Sequence, residues 1–186
     1  MKQKFCAWLL KMMGWKAMEP PVPEDKCLIL GAPHTSGWDF IVSYLYYAAV
    51  GGKAYVLIKK EFFFWPMGPI LKSLGGIPVD RGHGAGLVRQ VITAFEKSDR
   101  IHLAIAPEGT RKPTARWKTG FHTIAKATGA AVYLGYFDWG KKEVGRGIRF
   151  EISDDPQADL KKIRAHYKKM GIVGKHPEMF TTGDDI

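Results

Sequence analysis

The sequence predicts a single α/β domain with a central, mostly parallel sheet flanked by helices. Short apolar runs alternate along the 186 residues with segments of helical periodicity, which is the order that builds such sheets. Polar motifs directly follow three of the predicted strands, at residues 34–39, 80–81 and 107–111. Because ligands bind beyond the carboxyl ends of parallel strands, we expect the three motifs to share one cleft.

The composition is that of an ordinary globular chain with an unusual charge. A net charge of +10 indicates anionic partners, whether nucleic acid, an anionic membrane surface or phosphorylated small molecules. Two cysteines are too few for a disulfide framework, and the six histidines include no pair at i, i+4, so we expect a reducing compartment and no metal site. No apolar run approaches the roughly 18 residues of a membrane-spanning helix, which favours peripheral over integral association.

Residues 1–23 are predicted to form an amphipathic helix and a proline-rich linker, ahead of the main domain at 24–186. Lysines at 2, 4, 11 and 16 accompany the apolar stripe of this helix. Such a helix either lies in a membrane interface or packs on its own core, and the sequence leaves both open. The stripe consists of Phe5, Trp8, Leu9, Met12 and Met13.

The main domain has recognisable elements from end to end. Strands are predicted at 26–31, 53–59, 77–79, 101–106, 131–137 and 146–152, the last two as an antiparallel pair joined through 141–145. Helices are predicted at 40–50, 87–95, 121–128 and from Asp155 onward. His102 lies within an apolar strand and is predicted to be a core histidine. The glycine-rich stretch 82–86 is a weak candidate for a phosphate-binding loop.

His34 and Asp39 are the first candidates for chemistry. Residues five apart on a continuous helix lie about 140° apart around its axis, so these two side chains converge only if the chain bends between them. Pro33 and Gly37 predict such a bend, from a strand through a loop into a helix. The aspartate would then orient the imidazole as a general base. The alternative is a surface histidine beside a helix-capping aspartate.

Together the motifs make the chain resemble the glycerolipid acyltransferase family, typified by 1-acyl-glycerol-3-phosphate acyltransferases. The first family motif, His-x4-Asp with a serine, matches His34, Ser36 and Asp39; the second resembles 77–81; the third, Pro-Glu-Gly-Thr-Arg, stands unchanged at 107–111. The likeness covers roughly residues 26–135. It departs from the family at Pro33, at Lys112 and at 131–135, where a proline is expected, which puts the identity of the acceptor in doubt.

The resemblance implies a glycerol-3-phosphate acyltransferase-like fold and transfer of a fatty acyl group from acyl carrier protein or coenzyme A to a lysophospholipid, with no cofactor. His34 would be the base, oriented by Asp39. With the cysteine usage, the basic charge and the lack of a long apolar anchor, we expect a cytoplasmic enzyme that lies peripherally on the inner face of an anionic membrane. The family's pattern places the acceptor's anionic head among Ser36, Arg81, Glu108, Gly109, Thr110 and Arg111.

Alternatives remain at this stage. The default acceptor is lysophosphatidic acid, the precursor of phosphatidic acid. A lyso-aminolipid or another hydroxylated lipid fits the same motifs. A hydrolase with Ser36 as nucleophile lacks the expected Gly-x-Ser-x-Gly turn. A non-catalytic binder of nucleic acid or membrane is a further class, although no nucleic-acid motif is present and we expect no nucleic-acid partner. The aromatic run at 62–65 is interpreted as core or as the wall of an acyl groove.

Overall fold

A computed structural model describes residues 1–80 and 84–183. Within them the strands are β1 (Lys16–Ala17), β2 (Lys26–Ala32), β3 (Ala54–Lys59), β4 (Gly76–Val79), β5 (Ile101–Ile105), β6 (Ala131–Asp138), β7 (Glu143–Gly145) and β8 (Arg149–Phe150). The α-helices are α1 (Lys2–Met12), α2 (Trp38–Ala49), α3 (Met67–Ser73), α4 (Gly84–Glu96), α5 (Gly120–Thr128) and α6 (Pro156–Met170). Single 3₁₀ turns cover Lys60–Phe62 and Pro177–Met179.

The strands form one sheet in the order β1-β7-β6-β2-β5-β3-β4, with β8 also paired to β6. The central strand β2 is parallel to both of its neighbours, with Leu28 opposite Leu103 of β5 and Val132 of β6. The pairs β3–β4, β3–β5 and β1–β7 are parallel as well, and among the described strands the antiparallel pairs are β6–β7 and β6–β8. The predicted α/β class with a mostly parallel sheet is therefore confirmed.

Each face of the sheet carries its own core. Alternate residues of β2 point to opposite faces: Leu28 and Leu30 pack in the core under α4, α5 and α6, whereas Cys27 and Ile29 pack in the core under α1 and α2. These four side chains are at most 8% exposed. A strand buried on both faces is apolar at consecutive positions, which explains the uninterrupted run in the sequence.

The predicted antiparallel pairing of 146–152 with β6 is confirmed by β8, but the prediction of one long strand there is wrong. Two short strands, β7 and β8, pair with β6 instead, and β7 lies within the predicted connection at 141–145. Gly147 separates them because it has a φ of +64°, a left-handed conformation that breaks an extended strand. A Cβ at this position would also collide with the carbonyl oxygen of Leu134.

Helix α1 has a buried side and an exposed side, and the predicted stripe lies mostly on the exposed one, with Leu9 and Met13 half-buried. Cys6 and Leu10 are buried against α2, whereas Phe5, Trp8 and Met12 are 59%, 56% and 67% exposed. The core-packing interpretation therefore holds for one side of this helix, and the membrane interpretation of its exposed side stays a prediction. Among the described residues, no helix has the length and apolar character needed to cross a bilayer. The division of the chain after residue 23 stays a prediction.

The helix α6 supports the strands that lead to the site. Asp155 caps its N-terminus by accepting hydrogen bonds from the backbone N–H groups of Gln157 and Ala158. On its inner face, Leu160, Ile163 and Tyr167 are buried. The Tyr167 hydroxyl bridges two neighbouring strands, 2.6 Å from the Leu30 carbonyl and 3.0 Å from the Gly135 carbonyl.

The two remaining predictions about buried residues have opposite outcomes. His102 is a core histidine, as predicted: it is 2% exposed and its ring bonds to the Tyr47 hydroxyl and the Glu24 carbonyl. The core interpretation of the aromatic run at 62–65 is wrong, since Phe62 and Phe64 are 56% and 59% exposed. This run continues past the carboxyl end of β3 instead of crossing a face of the sheet.

Candidate active site

The His34 loop has the predicted course from strand to helix. β2 ends at Ala32, and α2 begins at Trp38 with Asp39 in its first turn. Within the loop, the Ser36 hydroxyl accepts a hydrogen bond from the Trp38 backbone N–H at 3.3 Å. The chain therefore reverses direction over five residues, and this bend brings His34 and Asp39 together.

Asp39 is fixed by groups on three sides and is 1% exposed. Its Oδ2 accepts the backbone N–H groups of Thr35 and Ser36, both at 2.8 Å, and lies 3.3 Å from Nδ1 of His34. Its Oδ1 accepts the Trp139 indole N–H at 2.8 Å. A carboxylate held in this way orients the imidazole through Nδ1. Within residues 1–80 and 84–183, Nε2 of His34 has no hydrogen-bond partner, so it is available to a substrate.

Glu108 reaches the same loop from the neighbouring strand. Residue 30 of β2 lies opposite residue 105 of β5, so the turn after β5 meets the loop after β2. Both carboxylate oxygens of Glu108 lie 3.0 Å from the His34 backbone nitrogen, which donates to them. Burial raises the pKa of Glu108 to about 8; the negative charge of Asp39 acts in the same direction, and the His34 N–H opposes it. Near pH 7 this side chain is mostly a neutral acid.

A neutral Glu108 makes the stability of the protein pH-dependent. Between its ordinary pKa of 4.5 and its folded pKa of about 8, the folded state binds more protons than the unfolded state, so the free energy of unfolding falls as the pH rises. Glu108→Gln keeps an acceptor for the His34 N–H and removes this titration. Measured by denaturant unfolding, the free energy of unfolding should fall less from pH 5 to pH 9 in the variant than in wild type. At about 1.4 kcal/mol per unit of pKa shift, the difference between the two falls should reach a few kcal/mol. Parallel curves for wild type, Glu108→Gln and the exposed control Glu151→Gln would contradict the assignment.

The structure describes only some of the remaining residues of the predicted anion site. Gly109 has a φ of +68°, and Thr110 accepts the Lys112 backbone N–H at 3.1 Å, which together shape the turn. The Arg111 guanidinium extends back to the His34 loop, because a Cβ built on Gly37 would lie 3.7 Å from its Nη1. Arg81 and part of the glycine-rich stretch at 82–86 lie outside the described residues.

Two contributions to the site come from residues that the sequence did not single out. Trp139 lies 100 positions after the carboxylate to which it donates. The segment after α6 covers the same loop: the His176 backbone N–H lies 3.3 Å from the Thr35 hydroxyl, and the Lys175 ammonium lies over the rings of Trp38 and Trp139, 5.0 and 4.9 Å from their centroids. No spacing or periodicity relates such distant positions.

A cavity of about 420 Å³ lies elsewhere, between α4 and the sheet. Its volume is within the range of ligand sites, and Arg89 and Gln90 add polar groups to a largely apolar lining. None of the predicted site residues that the structure describes lines it. Among the described residues, no group of three or more His, Cys, Asp or Glu side chains is placed to hold a metal ion.

At the carboxyl edge of a mostly parallel sheet, this site holds an imidazole oriented by a buried carboxylate, which is the arrangement that general-base chemistry uses. The sequence model of the acyltransferase family matches residues 18–134, and the chain belongs to that family. The matched range includes all three motifs.

Comparison with solved structures agrees on the fold. The crystal structure of the 1-acyl-sn-glycerophosphate (LPA) acyltransferase PlsC from Thermotoga maritima superposes with a TM-score of 0.58 and 17% sequence identity, covering 93% of this chain and 80% of that one. At this identity the similarity establishes a shared fold alone. Comparison with curated protein sequences found no match.

Proposed function

We propose that this acyltransferase moves a fatty acyl group from a thioester of coenzyme A or acyl carrier protein to a hydroxyl of a lysophospholipid. The acceptor that the motifs favour is 1-acyl-glycerol-3-phosphate, which gives phosphatidic acid. The observation that carries the proposal is the Asp39–His34 pair, with Nδ1 of the histidine 3.3 Å from the carboxylate. The PlsC-like fold supports the lipid acceptor.

The reaction needs one base and no covalent enzyme intermediate. Nε2 of His34 removes the proton from the acceptor hydroxyl as its oxygen attacks the thioester carbonyl. The tetrahedral intermediate then collapses, the C–S bond breaks, and the imidazolium returns the proton to the leaving thiolate. Asp39 acts as a positioning residue, because it holds the imidazole and stabilises the positive charge that develops on it.

Arg111 and Arg81 are proposed to bind the anionic head of the acceptor. A guanidinium presents two parallel N–H donors to a phosphate, which suits it to this task. Arg111 lies close to Gly37, so a phosphate bound to the Arg111 guanidinium would place the acceptor hydroxyl beside the His34 loop. Ser36, Gly109 and Thr110 would shape the pocket. Glu108, as a neutral acid, would donate a hydrogen bond to the acceptor.

Removal of the Arg111 guanidinium is expected to weaken acceptor binding. Arg111→Ala should raise KM for the lysolipid about tenfold or more, at little cost to kcat, since a charge-assisted hydrogen bond contributes about 1.5–3 kcal/mol. Steady-state kinetics with a phosphate-bearing acceptor measure the effect. Arg116→Ala, which removes an exposed arginine five positions further on, is the control and should leave KM unchanged. An unaltered KM in Arg111→Ala would place the anion site elsewhere.

The proposed function is tested directly by product analysis. Purified protein is incubated with a long-chain acyl thioester and a panel of lysolipids, and the lipids are identified by mass spectrometry. A new diacyl lipid supports the proposal and identifies the acceptor, including a lyso-aminolipid if one reacts. Free fatty acid alone would favour the hydrolase with Ser36 as nucleophile. Salt-sensitive retention of nucleic acid without thioester consumption would favour a binding protein.

The exposed side of α1 is proposed to bind an anionic membrane, which for the proposed reaction is the inner, cytoplasmic face of the cell membrane. Replacing Phe5, Trp8 and Met12 together by serine should lower binding to vesicles containing phosphatidylglycerol about tenfold, because their apolar area no longer leaves water. Co-sedimentation measures this. Ile148→Ser is the control, since that side chain is also exposed and apolar. Equal binding by all three proteins would leave the stripe without a membrane role.

A further inference from the structure

The segment from 59 to 70, named here the aromatic segment, exposes an unusual amount of apolar surface. The Trp65 side chain is 85% exposed, more than any other large apolar residue of the described chain except Met1. Apolar side chains exposed singly are ordinary, but several large ones exposed within nine residues indicate a contact surface. Its five large exposed members are Phe62, Phe64, Trp65, Met67 and Ile70.

The position of the aromatic segment relates it to the site. It begins at the carboxyl end of β3. In the sheet, β3 lies beside β5, and Glu108 lies in the turn that follows β5. Because the strands β2, β5 and β3 are parallel, the aromatic segment and His34 lie at the same edge of the sheet. Trp38, which follows the His34 loop, is 50% exposed at this edge too.

The same side of the sheet carries the second apolar surface. α1 packs on α2, and Lys2 of α1, Tyr44 of α2 and Ser73 of α3 line a common cleft. The exposed stripe of α1 and the aromatic segment thus belong to elements that border one cleft.

Charge favours an anionic surface as the partner. Lys59 is exposed at the start of the aromatic segment, and Lys60 follows it in an ion pair with Asp80. Glu61 is exposed beside them, and Lys72 is exposed just past the end of the segment, so cations outnumber anions here. The whole chain carries +10. Phenylalanine and tryptophan flanked by lysines are typical of segments that lie at the boundary between lipid headgroups and acyl chains.

We propose that the aromatic segment inserts into the interface of an anionic bilayer and holds the catalytic edge against it. This inference extends the proposed function, since a lysolipid would reach His34 from the membrane without crossing water. The role of the aromatic segment is then membrane binding, which differs from the two roles considered from the sequence, packing in the core and lining an acyl groove.

A fluorophore at residue 65 tests the insertion. Cys6 and Cys27 are buried, so Trp65→Cys offers an accessible thiol for an environment-sensitive label. Lys161→Cys on α6, which packs on the opposite face of the sheet, is the matched control. With phosphatidylglycerol vesicles, the label at 65 should shift to shorter wavelength and be quenched by lipids brominated on their acyl chains, and the label at 161 should do neither.

Several outcomes would overturn the inference: no vesicle binding, no quenching at 65 in bound protein, or equal quenching at both positions. A response of the label at 65 to acyl carrier protein in place of vesicles would assign the surface to the donor protein instead. Each outcome is read without an activity assay, so it is independent of whether acyl transfer occurs.

An activity assay connects insertion to catalysis. Replacing Phe62, Phe64 and Trp65 together by serine should lower the rate about tenfold on lysolipid in vesicles and leave the rate on a monomeric short-chain acceptor within about twofold, since exposed side chains contribute little to folding. Equal loss on both acceptors, or none on vesicles, would overturn the inference while the proposed function stands. Failure of wild type to transfer acyl groups to any acceptor would refute the proposed function instead.

Discussion

His34→Ala is expected to lower kcat for acyl transfer by about 10² to 10⁴, the usual contribution of a positioned general base. The acceptor KM should change little, because the proposed anion site uses the arginine side chains. The fold should persist, since the His34 backbone N–H, and not its ring, makes the hydrogen bonds to Glu108. Single-turnover kinetics with a thioester donor, paired with circular dichroism, measure both properties.

His176→Ala is the matched control for this variant. Its imidazole lies near the site and is half exposed, but its contact with Thr35 is made by the backbone N–H, which the substitution keeps. Near-normal turnover in folded His34→Ala protein would exclude His34 as the base. A comparable loss in His176→Ala would show that the assay responds to general damage at the loop.

Asp39→Asn is expected to lower both turnover and stability. Oδ2 accepts from the backbone N–H groups of Thr35 and Ser36, and Oδ1 accepts from the Trp139 indole N–H. An amide NH₂ group at this position must therefore face at least one N–H whichever way the side chain turns. One unsatisfied buried donor costs about 1–3 kcal/mol. Loss of the negative charge also removes the stabilisation of the imidazolium, for which a fall in kcat of about 10² to 10⁴ is expected.

Trp139→Phe separates the two effects. It removes the indole N–H from Oδ1, so an asparagine at 39 can turn its NH₂ group toward that space and keep its oxygen for the loop. The double variant should therefore be more stable than the sum of the single losses predicts, while kcat stays low. Strictly additive losses in unfolding free energy, or kcat within twofold of wild type in Asp39→Asn, would contradict this account.

The local chemistry of the site was predictable because it is encoded in neighbouring residues. Pro33 and Gly37 confine the backbone to a bend, and the apolar run before them fixes the preceding strand. The order of strands and helices was predictable for the same reason, since burial on both faces of β2 leaves a continuous apolar signature. Predictions were wrong where a short segment takes its structure from a distant partner, as β7 and β8 do from β6.

The sequence by itself determined the α/β class, the pairing of His34 with Asp39 across a bend, and the motifs placed after the strands. Only the tertiary structure decided that Glu108 is buried against the His34 backbone, that Trp139 holds the other oxygen of Asp39, and that the aromatic segment faces solvent. The physical reason is the distance along the chain over which each kind of interaction acts. Backbone preferences and burial periodicity act over a few residues, whereas desolvation and long-range hydrogen bonds depend on which strands become neighbours.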